Sequence, residues 1–234
     1  MNKEKNTAVV LAAGVGKRMG GNVAKQYMLL RDKPVLWYAL HAFEKANRID
    51  EVILVVGKGE IPFATKEFVE KYGFTKITKV IEGGAERYLS VWEALKGMDR
   101  TQDGYVFIHD GARPLISDEV ICRVADALKT NCAVTCAVPL KDTVKKVDRN
   151  GVVIETPIRE ELVAVQTPQG VDVKKYKEAL DKADDLSVFT DDMSVMEWAG
   201  YSVATAKGDY KNIKITTPED IIIASALLES EEEE

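Results

Sequence analysis

Apolar runs alternate with helix-period stretches along most of this 234-residue chain, and that alternation limits its fold more than any other feature. The runs cover residues 8–13, 51–56, 77–81, 105–108, 132–138 and 163–166, with a shorter one at 203–206. Each reads as a buried strand. Between and after them, residues 34–46, 62–72, 87–98, 117–129, 172–182, 190–199 and 218–229 space apolar positions by three and four, with Ser117 as an N-cap. Strand-helix alternation predicts an α/β fold: a Rossmann-like, mostly parallel sheet with helices on both faces. Ligands of such sheets sit at the carboxyl ends of the strands, so the loops after Ala13, Ile81 and Ile108 should converge. The length suits a single domain, and no linker or repeat interrupts it.

One stretch departs from the alternation. Residues 143–147 and 152–156 flank Asp148, Arg149, Asn150 and Gly151, and Asn-Gly is a strong hairpin signal. The expected result is a β arm over about residues 141–160. Its apolar positions have no second face to meet within one chain, so pairing with another copy is expected to bury them.

Composition narrows the function classes. Hydrophobic residues make up 46% and charged residues 30%, the balance of a folded globular protein. A net charge of -6 and a pI near 5.2 disfavour a broad nucleic-acid surface. The apolar run at residues 8–13 is too short for a signal peptide or a membrane span, which makes the cytoplasm the expected location. Cys122, Cys132 and Cys136 lie in apolar stretches and read as buried thiols. The acidic end, Glu229 to Glu234, reads as a solvated, fraying tail.

The first loop, Leu11-Ala12-Ala13-Gly14-Val15-Gly16-Lys17-Arg18-Met19, is the strongest chemical signal. Its small residues let backbone N–H groups approach a polyphosphate while Lys17 and Arg18 add charge, and Lys25 follows in Ala24-Lys25-Gln26-Tyr27. A dinucleotide fingerprint fails because Met19 stands where the third glycine belongs, and a Walker loop fails at Arg18 and Leu11. Taken alone, a glycine loop is also compatible with a plain tight turn.

Other segments agree with the first reading. Gly83-Gly84-Ala85-Glu86-Arg87-Tyr88-Leu89-Ser90 follows a strand and opens a helix, so its backbone can meet a base edge. His109-Asp110-Gly111-Ala112-Arg113 ends another strand, with Asp110 available to a ribose hydroxyl or magnesium and Arg113 to a phosphate, unless the two form only a structural ion pair.

With these motifs in order, the sequence resembles the 2-C-methyl-D-erythritol 4-phosphate cytidylyltransferases from Ala8 to about Leu228. AAGVGKRM followed by AKQY looks like that family's first signature, with Ala24 where the family usually has proline. The resemblance implies transfer of CMP from CTP to methylerythritol phosphate, with magnesium as cofactor. It implies Arg18, Lys25 and Lys214 as the catalytic cations, with Lys214 in the closing Asn212 to Asp220 segment. Nucleotide contacts would come from Ala12, Ala13, Gly14, Val15, Gly16, Gly83, Gly84, Ala85, Arg87, Ser90, Asp110 and Gly111. The sugar phosphate would meet Arg113, Thr143, Arg159, Thr167 and Thr190, some of them across a homodimer formed by the arm. Asp110 would touch the metal, mostly through CTP phosphates. The attacking phosphate is already ionised, so no general base is needed; His41, on a helical pattern, reads as structural, and neither it nor His109 is expected to act as a base. A ribitol 5-phosphate cytidylyltransferase is the near alternative. A nucleotide-binding regulator without turnover is the distant one.

Overall fold

The structure, a computed structural model, describes residues 4–14, 24–98 and 104–232. Chain order is β1 (Lys5–Ala12), a two-strand ribbon β2 (Leu29–Leu30) and β3 (Lys33–Pro34), α1 (Val35–Lys45), β4 (Glu51–Val56), α2 (Ile61–Ala64, prolonged by a wider turn at Thr65–Glu70), β5 (Ile77–Glu82), α3 (Arg87–Lys96) and β6 (Gly104–Asp110). Then come α4 (Asp118–Leu128), β7 (Ala133–Pro139), the arm strands β8 (Lys146–Val147) and β9 (Val153–Glu155), β10 (Val163–Asp172), α5 (Val173–Lys182), α6 (Asp192–Trp198), β11 (Ala204–Lys207) and α7 (Pro218–Glu232).

Seven strands form one sheet in the order β11-β7-β10-β6-β1-β4-β5. All neighbours are parallel except β10, which runs antiparallel to both β6 and β7. Pro168 has no N–H to give the ladder, and the register of β10 shifts between Val165 and Gln169, a bulge around that residue.

Alternate strand residues pack on opposite faces, which is why the strands are apolar almost throughout. Val52, Leu54 and Val56 of β4 join Leu36, Phe43 and Ile121 from α1 and α4 on one side. Ile53 and Val55 join Val91, Leu95, Tyr176 and Met196 from α3, α5 and α6 on the other. A smaller cluster of Leu30, Val35, Ile215 and Ala224 fastens α7 and the segment before it to the ribbon. Full burial of Ile215 is worth about 2 kcal/mol. That anchors the residue next to Lys214.

Caps fix several helix starts. Ser117 accepts from the Val120 N–H, Asp172 from Lys175 and Asp191 from Ser194. Two expectations need correction. Of the three thiols only Cys136 is buried, while Cys122, on α4, and Cys132, just before β7, are half-buried. The acidic end continues α7 as far as Glu232 instead of fraying from Glu229, in keeping with the good helix propensity of glutamate. No helix among the described residues is long and apolar enough to cross a membrane.

Candidate active site

Four strands end side by side, and their loops surround a cavity of about 750 Å³. The β1 end contributes Leu11 to Gly14, the β5 end Gly83 to Arg87, and the β6 end Asp110 and Ala112. Lys25, Gln26, Lys58, Ser90 and Lys214 complete the wall. Lys25 and Lys214, from opposite ends of the chain, therefore share one pocket. Val15, Gly16, Lys17 and Arg18 lie outside the described residues.

The close backbone approach at this wall depends on glycine. A Cβ on Gly83 would sit 2.6 Å from Ser90 Oγ and 2.7 Å from Ala13 Cβ, and one on Gly84 would collide with Leu89. One on Gly111 would lie 2.9 Å from the Leu11 carbonyl oxygen. Lys25 sits in a short 3-10 turn, Lys25–Tyr27, held to the end of β1 by buried Gln26, whose Nε2 donates to the Ala12 carbonyl at 2.5 Å.

Asp110 is the electrostatic centre. Lys214 Nζ lies 2.8 Å from its Oδ2, Arg113 Nε 3.8 Å from the same oxygen and Arg87 Nε 3.6 Å from Oδ1. Burial alone would raise the Asp110 pKa, but Lys214 and then Arg87 outweigh it and hold the carboxyl well below the usual range. Arg87 also reaches Asp192, 2% exposed, at 2.6 Å from Oδ2. Tyr176 donates to the other Asp192 oxygen at 2.7 Å. Burial would lower the Arg87 pKa, yet Asp192 and Asp110 raise it, so the guanidinium stays charged.

Beneath Asp110 a hydrogen-bond chain fixes a tautomer. The Arg113 carbonyl can only accept, so His109 Nε2–H donates to it at 3.1 Å. Nδ1 of the neutral ring then accepts the Thr167 hydroxyl proton at 3.0 Å, and Thr167 Oγ accepts the Asp110 N–H at 3.1 Å. Burial drives the His109 pKa down to about 4. The imidazole is neutral at neutral pH and both its nitrogens are engaged.

The expected sugar-phosphate residues are less concentrated. Thr167 is buried, with its hydroxyl committed to His109 and Asp110, so it supports the floor instead of facing the cavity. Arg113 turns its Nη1 to the Asn212 carbonyl at 2.7 Å, and Asn212 in turn donates to the Thr167 carbonyl at 2.8 Å. Thr143, Arg159 and Thr190 are exposed and lie outside the cavity wall. Arg159, at the base of the arm, reaches the Lys141 carbonyl at 3.3 Å.

A model of the IspD family, 2-C-methyl-D-erythritol 4-phosphate cytidylyltransferase, matches residues 6–230. The chain belongs to this family. The enzyme of that name from Lachnoclostridium phytofermentans is 46% identical over 229 residues, covering 96% of this chain and 97% of its own. The one from Alkaliphilus metalliredigens is 46% identical over 228 residues, covering 96% and 93%. The solved structure of 4-diphosphocytidyl-2C-methyl-D-erythritolsynthase from Anaerococcus prevotii superposes with a TM-score of 0.84 at 36% identity over 97% of this chain and 96% of that one.

This cytidylyltransferase therefore has the α/β fold and nucleotidyltransferase class that its motifs imply. Reading the sequence overlooked three residues of the site: Lys58, Asp192 and Gln26. Lys58 had an available signal, since Gly57-Lys58-Gly59 directly follows β4 at the same sheet end as the other loops. Gln26 stands inside the AKQY segment but with no role assigned to it, and Asp192 had no signal, because the burial of both arises from tertiary docking.

Proposed function

We propose that this chain transfers the cytidylyl group of CTP to 2-C-methyl-D-erythritol 4-phosphate, releasing pyrophosphate. The observation that carries the reading is the shared cavity: Lys25 and Lys214 converge with the glycine backbone of Gly14, Gly83 and Gly84 around a space sized for a nucleotide. The family supplies the substrate class.

The substrate phosphate attacks the α-phosphorus in line with departing pyrophosphate. It is already anionic and needs no base, which accords with His109 being neutral and fully hydrogen-bonded. The chain's work is to align two anions and stabilise charge on phosphorus, and Arg18, Lys25 and Lys214 do this. Gly83, Gly84, Ala85 and Ser90 read the base. Arg113 and, from a second copy, Thr143 and Arg159 receive the sugar phosphate. Pairing of copies through the arm is supported by Val147, Val153, Ile154 and Ile158, each more than half exposed.

Magnesium fits as a guest shared between substrate and protein. Among the described residues no three His, Cys, Asp or Glu side chains cluster as a metal site. Asp110 supplies one carboxylate, which suffices for an ion that otherwise takes phosphate oxygens and water. When bound, magnesium neutralises triphosphate charge and eases release of pyrophosphate. The test is a pyrophosphate-release assay with CTP and magnesium. Release on adding methylerythritol phosphate but not ribitol 5-phosphate supports the reading, release only with the latter transfers it to the ribitol enzyme, and release with neither rejects it.

A further inference from the structure

Lys58 lines the cavity yet belongs to none of the motifs that announced it. It sits in a Gly57-Lys58-Gly59 turn at the end of β4, and two carboxylates hold the turn by its backbone. Glu60 Oε2 accepts the Gly57 N–H at 2.9 Å, and Glu82 Oε1 accepts the Gly59 N–H at 2.8 Å. Gly59 has φ 78°, which side-chain-bearing residues rarely adopt. Both glutamates are thus turned toward the backbone, and among the described residues Lys58 itself has no ion pair or hydrogen bond. An exposed lysine is ordinarily solvated. This one is exposed on the wall of a cavity, on a turn whose shape is fixed.

A second contact sets its partner. The same Glu60 Oε2 accepts the Tyr27 hydroxyl at 2.7 Å, and Tyr27 closes the 3-10 turn that begins with Lys25. Tyr27 is further packed against Phe63 and Phe68, at ring-centroid distances of 5.2 and 6.1 Å. One carboxylate oxygen therefore ties the Lys25 turn to the Lys58 turn. Gly83 and Gly84 follow β5 and Lys214 reaches Asp110 at the end of β6, so the Lys25 turn, held to the end of β1, and the Lys58 turn, at the end of β4, lie between those positions.

We propose that Lys58 is a phosphate-binding residue that grips the outer phosphates of the nucleotide, the part that leaves as pyrophosphate, beside Lys25 at the reacting phosphorus, and that Glu60 and Tyr27 are the positioning residues for the Lys58 turn. The inference rests on the cytidylyl-transfer reading for the identity of the anion. A lysine here would contribute an ion-paired hydrogen bond to a phosphate oxygen, and its loss weakens binding on the order of tenfold.

Calorimetric titration without the second substrate tests it, using CTP, CMP and inorganic pyrophosphate on the wild-type protein, Lys58→Ala and Lys58→Arg. Lys58→Ala should weaken CTP and pyrophosphate about tenfold and leave CMP within about twofold, with Lys58→Arg recovering most of the loss. Tyr27→Phe should weaken CTP in the same selective way but to a lesser degree. Equal weakening of CTP and CMP, or of neither, overturns the proposal. Because binding is read directly, wild-type protein that binds CTP but never releases pyrophosphate would defeat the cytidylyl-transfer reading while leaving the Lys58 result to stand by itself.

Discussion

Asp192 Oδ2 lies 2.6 Å from Arg87 Nη2, so the carboxylate at the start of α6 sets the guanidinium that opens α3 and, through it, Asp110. Tyr176 donates to the same carboxylate from α5. Three helices on one face of the sheet thus meet in one charged chain that ends at the cavity.

Asp192→Asn should cost about 2 kcal/mol of stability, measured by urea unfolding. Removing one member of a buried pair typically costs about 3–5 kcal/mol, and the smaller value is expected here because Arg87 is partly solvated and retains Asp110. CTP affinity should fall as well, since Arg87 lines the cavity. Unchanged stability and affinity together would mean that the chain does not hold Arg87 in place.

Stability should decline as pH falls from about 6.5 to about 4. His109 is neutral when folded, with its pKa driven down to about 4 from an ordinary 6.5, so in that window the unfolded chain binds the extra proton. The full loss is about 3 kcal/mol. His41, partly buried against Trp37, is lowered in the same direction and adds to the slope. Below that window Asp110, whose pKa is depressed, adds its own loss as its carboxyl protonates. Unfolding curves of wild type and His109→Gln across pH 4 to 7 check the assignment. The variant is less stable overall, but its slope in this window should fall to the part that His41 supplies, and an undiminished slope would remove His109 as a source.

Arg159 should serve a neighbouring subunit's site. Mixing Arg159→Ala with Lys25→Ala protein, each nearly inactive, should restore up to about a quarter of wild-type turnover per dimer once subunits have exchanged, because a random hybrid carries one intact site. Steady pyrophosphate release after exchange measures it. Verified hybrids without activity would mean that each site is built within one chain.

The architecture was legible because the alternation of apolar runs and helix-period stretches answers to burial on both faces of a sheet. Six of the seven sheet strands begin and end within a few residues of expectation. For the seventh, β10, the apolar run covers only residues 163–166; in the fold the chain bulges around Pro168 and pairs again as far as Asp172. The ribbon of Leu29–Leu30 with Lys33–Pro34 is too short to leave a periodic signal. In the site, glycines and cations next to strand ends could be read, because strand ends are where parallel sheets bind. Side-chain direction could not. Thr167 shows why: a hydroxyl beside a strand end looks available to substrate, but the bulge in β10 turns it under Asp110 and onto His109.

The gathering of Lys25 and Lys214 around one triphosphate is tested most directly by measuring single-turnover rate and CTP affinity side by side in Lys25→Ala and Lys214→Ala. A preorganised cation that acts on the transition state should cost on the order of 100-fold in rate when removed, with a much smaller loss of CTP binding. Near-normal rates in both variants would contradict the account.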